Sequence, residues 1–439
     1  VKLPDLLASK PGRLFAFFAL YLTEGIPLGF TATAIATQMR RQGLGPTEIG
    51  AFVGTLYLPW AFKWVMGPFV DVLSTDRFGR RRMWIVLTQI MMTVMLLAAM
   101  PINFTAELKF FTIVIFGLNF FAATQDVAID ALACNVLSEK ERGLANGLMF
   151  SGAYLGQAVG GAGVLFLIPY TGLPTTFVFV VAVVLSVTLF VVLPMREPKG
   201  PPRARAEGSA LAAVGRELYQ FGREALQAFT GSRAAWVGVI FALLPGGAYA
   251  LSLSLQSNLA VEFGLNDQKV AQLALASTVI SAACCVVGGW LSDRFGRRKM
   301  LTLFYIGTAI PGLCLAWIMF REGWIMPVDP QWRDRPVPSG VLLSAFWTAC
   351  LAFAVFQGLM YGTRSALFMD ITTPAVAATQ FTAYMAMMNL VISYSATWQG
   401  YAIEAWGYPM TLTLDAVAGL VCLVCLPFMV KPQAPQAKA

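Results

Sequence analysis

Apolar runs of about twenty residues follow one another through nearly all of this 439-residue chain, and that recurrence constrains the fold more than any motif does. Each run is long enough to cross a hydrocarbon layer. Backbone N–H and C=O groups have no water to bond there, so each crossing must be a helix or part of a closed barrel. The runs are too continuous for alternating barrel strands, and the fold class expected is an all-α integral membrane protein. Charged residues are only 12% of the chain and hydrophobic ones 57%, which no soluble core of this size requires. Twelve runs can be placed, from 14–37 to 408–430. An even number of crossings returns both termini to one side. Most of the 31 Lys and Arg fall on that side, which predicts cytoplasmic termini.

The net charge of +8 is spread over loops between apolar runs and does not form a basic domain, which excludes nucleic acid as a partner. Val1 to Arg13 is short and polar, unlike a cleaved signal peptide. The seven cysteines fall inside predicted spans and read as small buried hydrophobes. Cys422 and Cys425 have the spacing of a metal or redox pair, but the chain has no His and no second pair in a loop, so neither metal nor cofactor is expected.

One loop is written twice. Gly67-Pro68-Phe69-Val70-Asp71 is followed by Arg77-Phe78-Gly79-Arg80-Arg81-Arg82, and Gly289-Trp290-Leu291-Ser292-Asp293 by Arg294-Phe295-Gly296-Arg297-Arg298-Lys299. Both copies lie between two apolar runs, after the second and the eighth, so the chain reads as one six-helix unit duplicated. The organisation expected is a six-helix half over 1–194, a cytoplasmic linker over 195–233 and a second six-helix half over 234–439. Prolines open the linker, and helical spacing of apolar residues from Leu211 to Phe229 predicts an amphipathic helix on the membrane surface. In each loop copy the Gly is expected to allow close helix approach. The Asp and the following arginines form a cytoplasmic latch, with Asp71, Arg77, Arg80 and Arg81 in the first copy and Asp293, Arg294, Arg297 and Arg298 in the second. Asp130 and Asp370, ending the fourth and tenth spans, and Arg142, opening the fifth, belong to the same gate.

Ionisable groups inside apolar runs mark the working parts, because each costs about 2.5–3.5 kcal/mol at a helix centre unless paired or wetted. Glu24, Lys63 and Asp126 fall at comparable depths in the first, second and fourth spans, and Asp126 and Asp130 share one helix face. Without His, proton coupling must use carboxylates, and carboxylate proton affinity depends on burial and on a neighbouring ammonium. Glu24 or Asp126 is the candidate proton site, with Lys63 as its modulating partner. In the second half Arg364 faces the cavity or pairs with Asp370. Arg364 and Lys63 are candidate counter-charges for an anionic cargo. Gly25-Ile26-Pro27 and Pro245-Gly246-Gly247 are expected to interrupt the first and seventh spans at matching places, marking a midplane cavity. Tyr21, Gln125, Tyr249, Gln256 and Asn389 are candidate solute-binding residues around it, with Asn258 and Gln399 nearby in sequence pattern. Glycines from Gly147 to Gly161 read as a packing stripe.

The duplicated loop resembles the signature of the major facilitator superfamily. Gly25-Ile26-Pro27-Leu28, Phe62-Lys63-Trp64 through Pro68 and Asp71, Ala123-Thr124-Gln125-Asp126-Val127-Ala128-Ile129-Asp130, Glu141-Arg142-Gly143 and Ala378-Thr379-Gln380-Phe381 resemble AmpG-type permeases and the related acetyl-CoA and siderophore transporter branches. Glu24 is not part of that pattern, whereas Lys63 and Asp126 are. The resemblance implies twelve transmembrane helices in two pseudo-symmetric halves, alternating access, proton coupling, and a monomer carrying a small amphiphilic solute of muropeptide type. Siderophore and acetyl-CoA-like solutes are the alternatives. Some members of the AmpG group carry spans beyond the twelfth, where this chain ends. No phosphate loop, zinc motif or activated nucleophile is present to support an enzyme. A non-transporting receptor or assembly factor on the same bundle is the remaining reading.

Overall fold

The computed structural model describes residues 5–73, 78–137, 139–198, 210–230, 233–252, 254–332, 334–371 and 377–429. Arg77 and the side chains of Asp71, Arg142 and Asp293 lie outside that description, so the parts of the gate that rest on them do too. The described residues form helices: α1 (Lys10–Gly29), α2 (Ala36–Arg41), α3 (Pro46–Ala61), α4 (Met66–Val72), α5 (Arg80–Ala99), α6 (Leu108–Val136), α7 (Glu139–Ala158), α8 (Val164–Thr171), α9 (Leu173–Val187), α10 (Ala210–Thr230), α11 (Arg233–Leu243), α12 (Ser254–Glu262), α13 (Asp267–Phe295), α14 (Arg297–Arg321), α15 (Gly340–Ile371) and α16 (Ala377–Val421).

Nine described helical stretches are long and apolar enough to cross a membrane, against the twelve spans expected. The other three expected spans fall where helices are broken or run together. The second expected span is divided at Phe62, which leaves α3, a 3-10 turn over Lys63–Val65 and α4. The seventh is opened after α11, with Ala250–Ser252 as a short 3-10 turn before α12. The eleventh and twelfth run together as Gln380–Phe428, kinked at Gly407, where φ is +79°.

The chain divides into two compact units that are not simply its sequence halves. The first comprises Val1–Leu44, Thr55–Leu218 and Leu265–Leu275; the second comprises Gly45–Gly54, Tyr219–Gly264 and Ala276–Ala439. In the first unit α1 packs most closely on α7 and α5 on α6. The glycine stripe makes the α1–α7 contact possible. A Cβ at Gly25 would collide with the carbonyl of Ala153, and one at Gly160 with the carbonyl of Ile26. In this unit Asp267 also takes Arg41 Nε at 2.6 Å and Gln38 Nε2 at 3.2 Å. In the second unit α14 packs on α15 and α16. The start of α3 belongs here: Thr47 N donates to Glu404 Oε1 at 2.9 Å, and Ser393 Oγ donates to the carbonyl of Gly54 at 2.7 Å.

Two expectations change. Gly25-Ile26-Pro27 does not interrupt the first span: α1 runs through Pro27 and continues as a π-helical turn over Phe30–Ile35 into α2. Pro27 removes one helical N–H donor without breaking the helix; the Thr31 hydroxyl donates to the Pro27 carbonyl at 2.8 Å where the π turn follows. Gly67 and Gly289 are not sites of close helix approach, since a Cβ at either would meet nothing within 4 Å among the described residues. The loop glycines that matter are Gly79 and Gly296, at φ +86° and +93°. Each turns the chain into the helix that follows, α5 or α14. The amphipathic helix expected over 211–229 is present as α10.

Candidate functional site

The first unit gathers four ionisable side chains from three elements around one spot. Lys63 sits on the 3-10 turn that breaks the second span, and its Nζ donates to Asp126 Oδ2 on α6. Pro59 lies four residues earlier in α3, where its missing N–H weakens the helix just before the turn. Asp126 is 3% exposed, so the ammonium is its main counter-charge. The ring centroid of Trp60 lies 6.0 Å from Lys63 Nζ. One turn along α6, Asp130 accepts the Tyr21 hydroxyl of α1 at 2.7 Å. Glu24, a turn after Tyr21 on α1 and 5% exposed, stands within electrostatic range of Asp126, Asp130 and Lys63, and its Oε1 has no hydrogen-bond partner. Three carboxylates therefore share one ammonium, an arrangement in which one proton more or less decides the charge balance.

A neutral polar chain runs beside it. Gln125 Nε2 and Gln89 Nε2 donate to Thr23 Oγ1 at 2.8 and 3.3 Å, and Thr188 Oγ1 donates to Gln89 Oε1 at 2.6 Å. Gln125 Oε1 is left without a partner.

The second unit holds a different arrangement. After α11 the backbone unwinds at Pro245-Gly246-Gly247, as the sequence predicts, and the N–H groups freed from Gly247 to Ala250 all find acceptors. Gly247 N donates to the Gly419 carbonyl at 3.0 Å, Ala248 N to Thr308 Oγ1 at 3.1 Å, and Tyr249 N and Ala250 N both to Asp415 Oδ2 at 2.9 Å. Gln399 Nε2 donates to the other oxygen of Asp415 at 2.7 Å. Asp415 was missed by motif reasoning although a lone carboxylate in an apolar run is itself a signal. Tyr249, carried on this segment, accepts Arg364 Nη1 at 3.0 Å. Gln256 and Asn389 are half-buried on α12 and α16. Asn258 is fully buried with both amide atoms unpartnered.

The repeated loops are tied within each unit. Arg81 N and Arg82 N donate to Glu197 Oε2 at 2.8 and 3.1 Å, and Arg82 reaches the carbonyls of Val192 and Leu193. Glu197, unremarked in the sequence, thus caps α5, where Gly79 offers no side chain. Arg80 is buried at the start of the same helix. Arg297 Nη1 bridges Asp370 Oδ1 at 2.7 Å and the Ala366 carbonyl at 2.8 Å, so Asp370 pairs with Arg297 and not with Arg364. Arg298 reaches the Pro427 carbonyl at 3.3 Å, and Arg294 lies 5.6 Å from the ring of Trp290. Asp130 is engaged by the Tyr21 hydroxyl.

This constellation of broken helices, buried ion pair and duplicated arginine loop meets a decisive finding: the model of the Major Facilitator Superfamily matches residues 14–396. The chain belongs to the major facilitator superfamily. It is a multi-pass membrane protein and a secondary transporter of that superfamily. It is 24% identical over 417 residues to the anhydromuropeptide permease of Escherichia coli K12, covering 93% of this chain and 77% of that one. Over 188 residues it is 27% identical to the putative transporter AmpG 4 of Rickettsia conorii, covering 42% of this chain and 45% of the relative. Among solved structures, an inward open conformation of the xylose transporter XylE from E. coli superposes with a TM-score of 0.69 at 12% identity, over 98% of each chain. The nucleoside transporter NupG superposes with a TM-score of 0.65 at 12% identity, over 96% of this chain and 100% of that one. At such identities these two likenesses speak for the fold alone.

Proposed function

We propose that this transporter imports an anhydromuropeptide-type amphiphile across a bacterial inner membrane, by alternating access and driven by protons. The observation that carries the coupling is the group of Glu24, Asp126 and Asp130 around Lys63. Lys63 stands on a helix break. Moving it away from Asp126 leaves three carboxylates near one another in a low dielectric, where taking up a proton relieves their repulsion. The solute class rests on the AmpG-type relatives. The Glu197-capped first loop and the Arg297–Asp370 pair are the cytoplasmic gate in this reading, with both termini cytoplasmic and one chain sufficient for the pathway.

The test is transport in proteoliposomes with a labelled anhydromuropeptide. With an imposed inward proton gradient the protein is expected to accumulate the solute, and with solute on both sides and no gradient it is expected to exchange it. Asp126→Asn is expected to keep exchange while losing gradient-driven accumulation by about tenfold or more. Unchanged accumulation removes Asp126 from the coupling role. Binding without exchange would turn the reading to a receptor, and exchange of a ferric siderophore or an acyl-CoA in place of the muropeptide would reassign the cargo.

A further inference from the structure

Two cations inside apolar runs, Lys63 and Arg364, are in opposite situations. Lys63 has Asp126, with Glu24 and Asp130 in range. Arg364 on α15 is 4% exposed and has no carboxylate partner among the described residues; the neighbouring Asp370 is engaged by Arg297. Its surroundings are aromatic hydroxyls. Nη1 donates to Tyr249 Oη at 3.0 Å, the guanidinium lies 5.4 Å from the ring of Tyr361, and Tyr305 lies close by. Arg364 Nε has no acceptor, and the hydroxyl of the fully buried Tyr305 is not in hydrogen-bonding geometry with any described neighbour. A guanidinium keeps its charge, so an uncompensated one inside an apolar bundle is costly and marks function.

Glycine lets the backbone come close to it. A Cβ at Gly246 would stand 2.8 Å from Tyr305 Oη and 3.3 Å from Arg364 Nη1. The unwound segment that carries Gly246 and Tyr249 is fixed from behind: Asp415 holds two of its N–H groups, Thr308 a third and the Gly419 carbonyl a fourth. Asp415 is therefore a positioning residue. Its charge is spent on backbone donors and Gln399, and it leaves the Arg364 charge unanswered.

We propose that Arg364, with Tyr249 and Tyr305, is the site in the second unit that receives a carboxylate of the transported solute. The guanidinium fork matches a planar carboxylate, and the Tyr305 hydroxyl is a further donor beside it. A single cation answers a monoanion, whereas the multiply charged phosphates of an acyl-CoA would need more positive charge than this site holds. The inference names the solute group for the transport function argued above and rests on that reading for its physiological meaning.

The experiment compares acids with their amides on the purified full-length protein in detergent, read as thermal stabilisation. The first pair is 1,6-anhydro-N-acetylmuramyl-L-alanine and its carboxamide; the second is N-acetyl-L-alanine and N-acetyl-L-alaninamide, which contain no sugar. Each acid is expected to stabilise the protein at a concentration about tenfold lower than its amide. Arg364→Gln is expected to bring that ratio to about one, Arg364→Lys to keep part of it, and Tyr305→Phe to reduce it severalfold. Equal stabilisation by acid and amide in the wild type, no stabilisation by any probe, or a preference that survives Arg364→Gln overturns the site. Should Arg364→Gln fail to fold, the wild-type comparison and Tyr305→Phe decide. An acid preference confined to the N-acetylalanine pair, with no exchange of muropeptide in proteoliposomes, keeps the carboxylate site and sinks the muropeptide reading. Muropeptide exchange with no acid preference does the reverse.

Discussion

Lys63 and Asp126 neutralise each other inside an apolar bundle, so removing one strands the other. Lys63→Ala is expected to destabilise the protein by roughly 3–5 kcal/mol, and the double variant Lys63→Met, Asp126→Leu to recover most of that loss while abolishing proton coupling. Thermal unfolding in detergent measures the first effect and gradient-driven uptake the second. Asp415 answers to a different logic, since its partners are backbone N–H groups. Asp415→Ala leaves two buried donors without an acceptor and is expected to cost about 1–3 kcal/mol for each, read as a lowered melting temperature. At this scale the sequence was half legible. Lys63 and Asp126 were marked by the expense of charge in hydrocarbon, and depth counting brought them together. Asp415 carried the same mark but no motif, and nothing in a linear chain tells which loose backbone a carboxylate will serve.

Helix packing in the first unit depends on the absence of side chains at defined points. Gly25→Ala drives a methyl into the carbonyl of Ala153 and is expected to destabilise by about 1–3 kcal/mol or more, whereas Gly67→Ala meets no described neighbour and is expected to be close to neutral. Comparing the two by thermal unfolding separates packing glycines from loop glycines, a distinction the repeated motif obscured. Glu197 is the cap that α5 lacks in its own sequence, and Glu197→Ala is expected to cost about 0.5–2 kcal/mol by the same measurement. Breaks in helices were readable only in part. Pro-Gly-Gly opened the seventh span because nothing nearby restores its backbone bonds within the helix. Pro27 leaves the first span intact, and the helix runs through it into a π turn. The break at Phe62 has no glycine, and Pro59 upstream is its one signal in the sequence.

On the scale of the whole chain, the duplication visible in the loops is matched by backbone geometry, with Gly79 and Gly296 both left-handed before an arginine-led helix. What the repeat did not foretell is that each compact unit borrows a segment from the other sequence half. Leu265–Leu275 completes the first unit, through Asp267 on Arg41 and Gln38, and Gly45–Gly54 completes the second, through Thr47 on Glu404. These contacts join residues far apart in the chain, beyond the reach of periodicity or local pattern. Fragments 1–230 and 231–439 expressed separately are therefore each expected to lack part of a unit and to be recovered in poor yield. Co-expressed, they are expected to purify as one complex. Equal recovery of the isolated fragments would show that the borrowed segments are dispensable.

The position of Lys63 on a three-residue turn between α3 and α4 has a mechanical consequence. A charge mounted on a rigid rod can change depth only if the whole rod slides, dragging its packing with it. One mounted on a joint can swing through several backbone torsions while the shafts on either side stay intact, so the ammonium can travel at little cost to the scaffold around it.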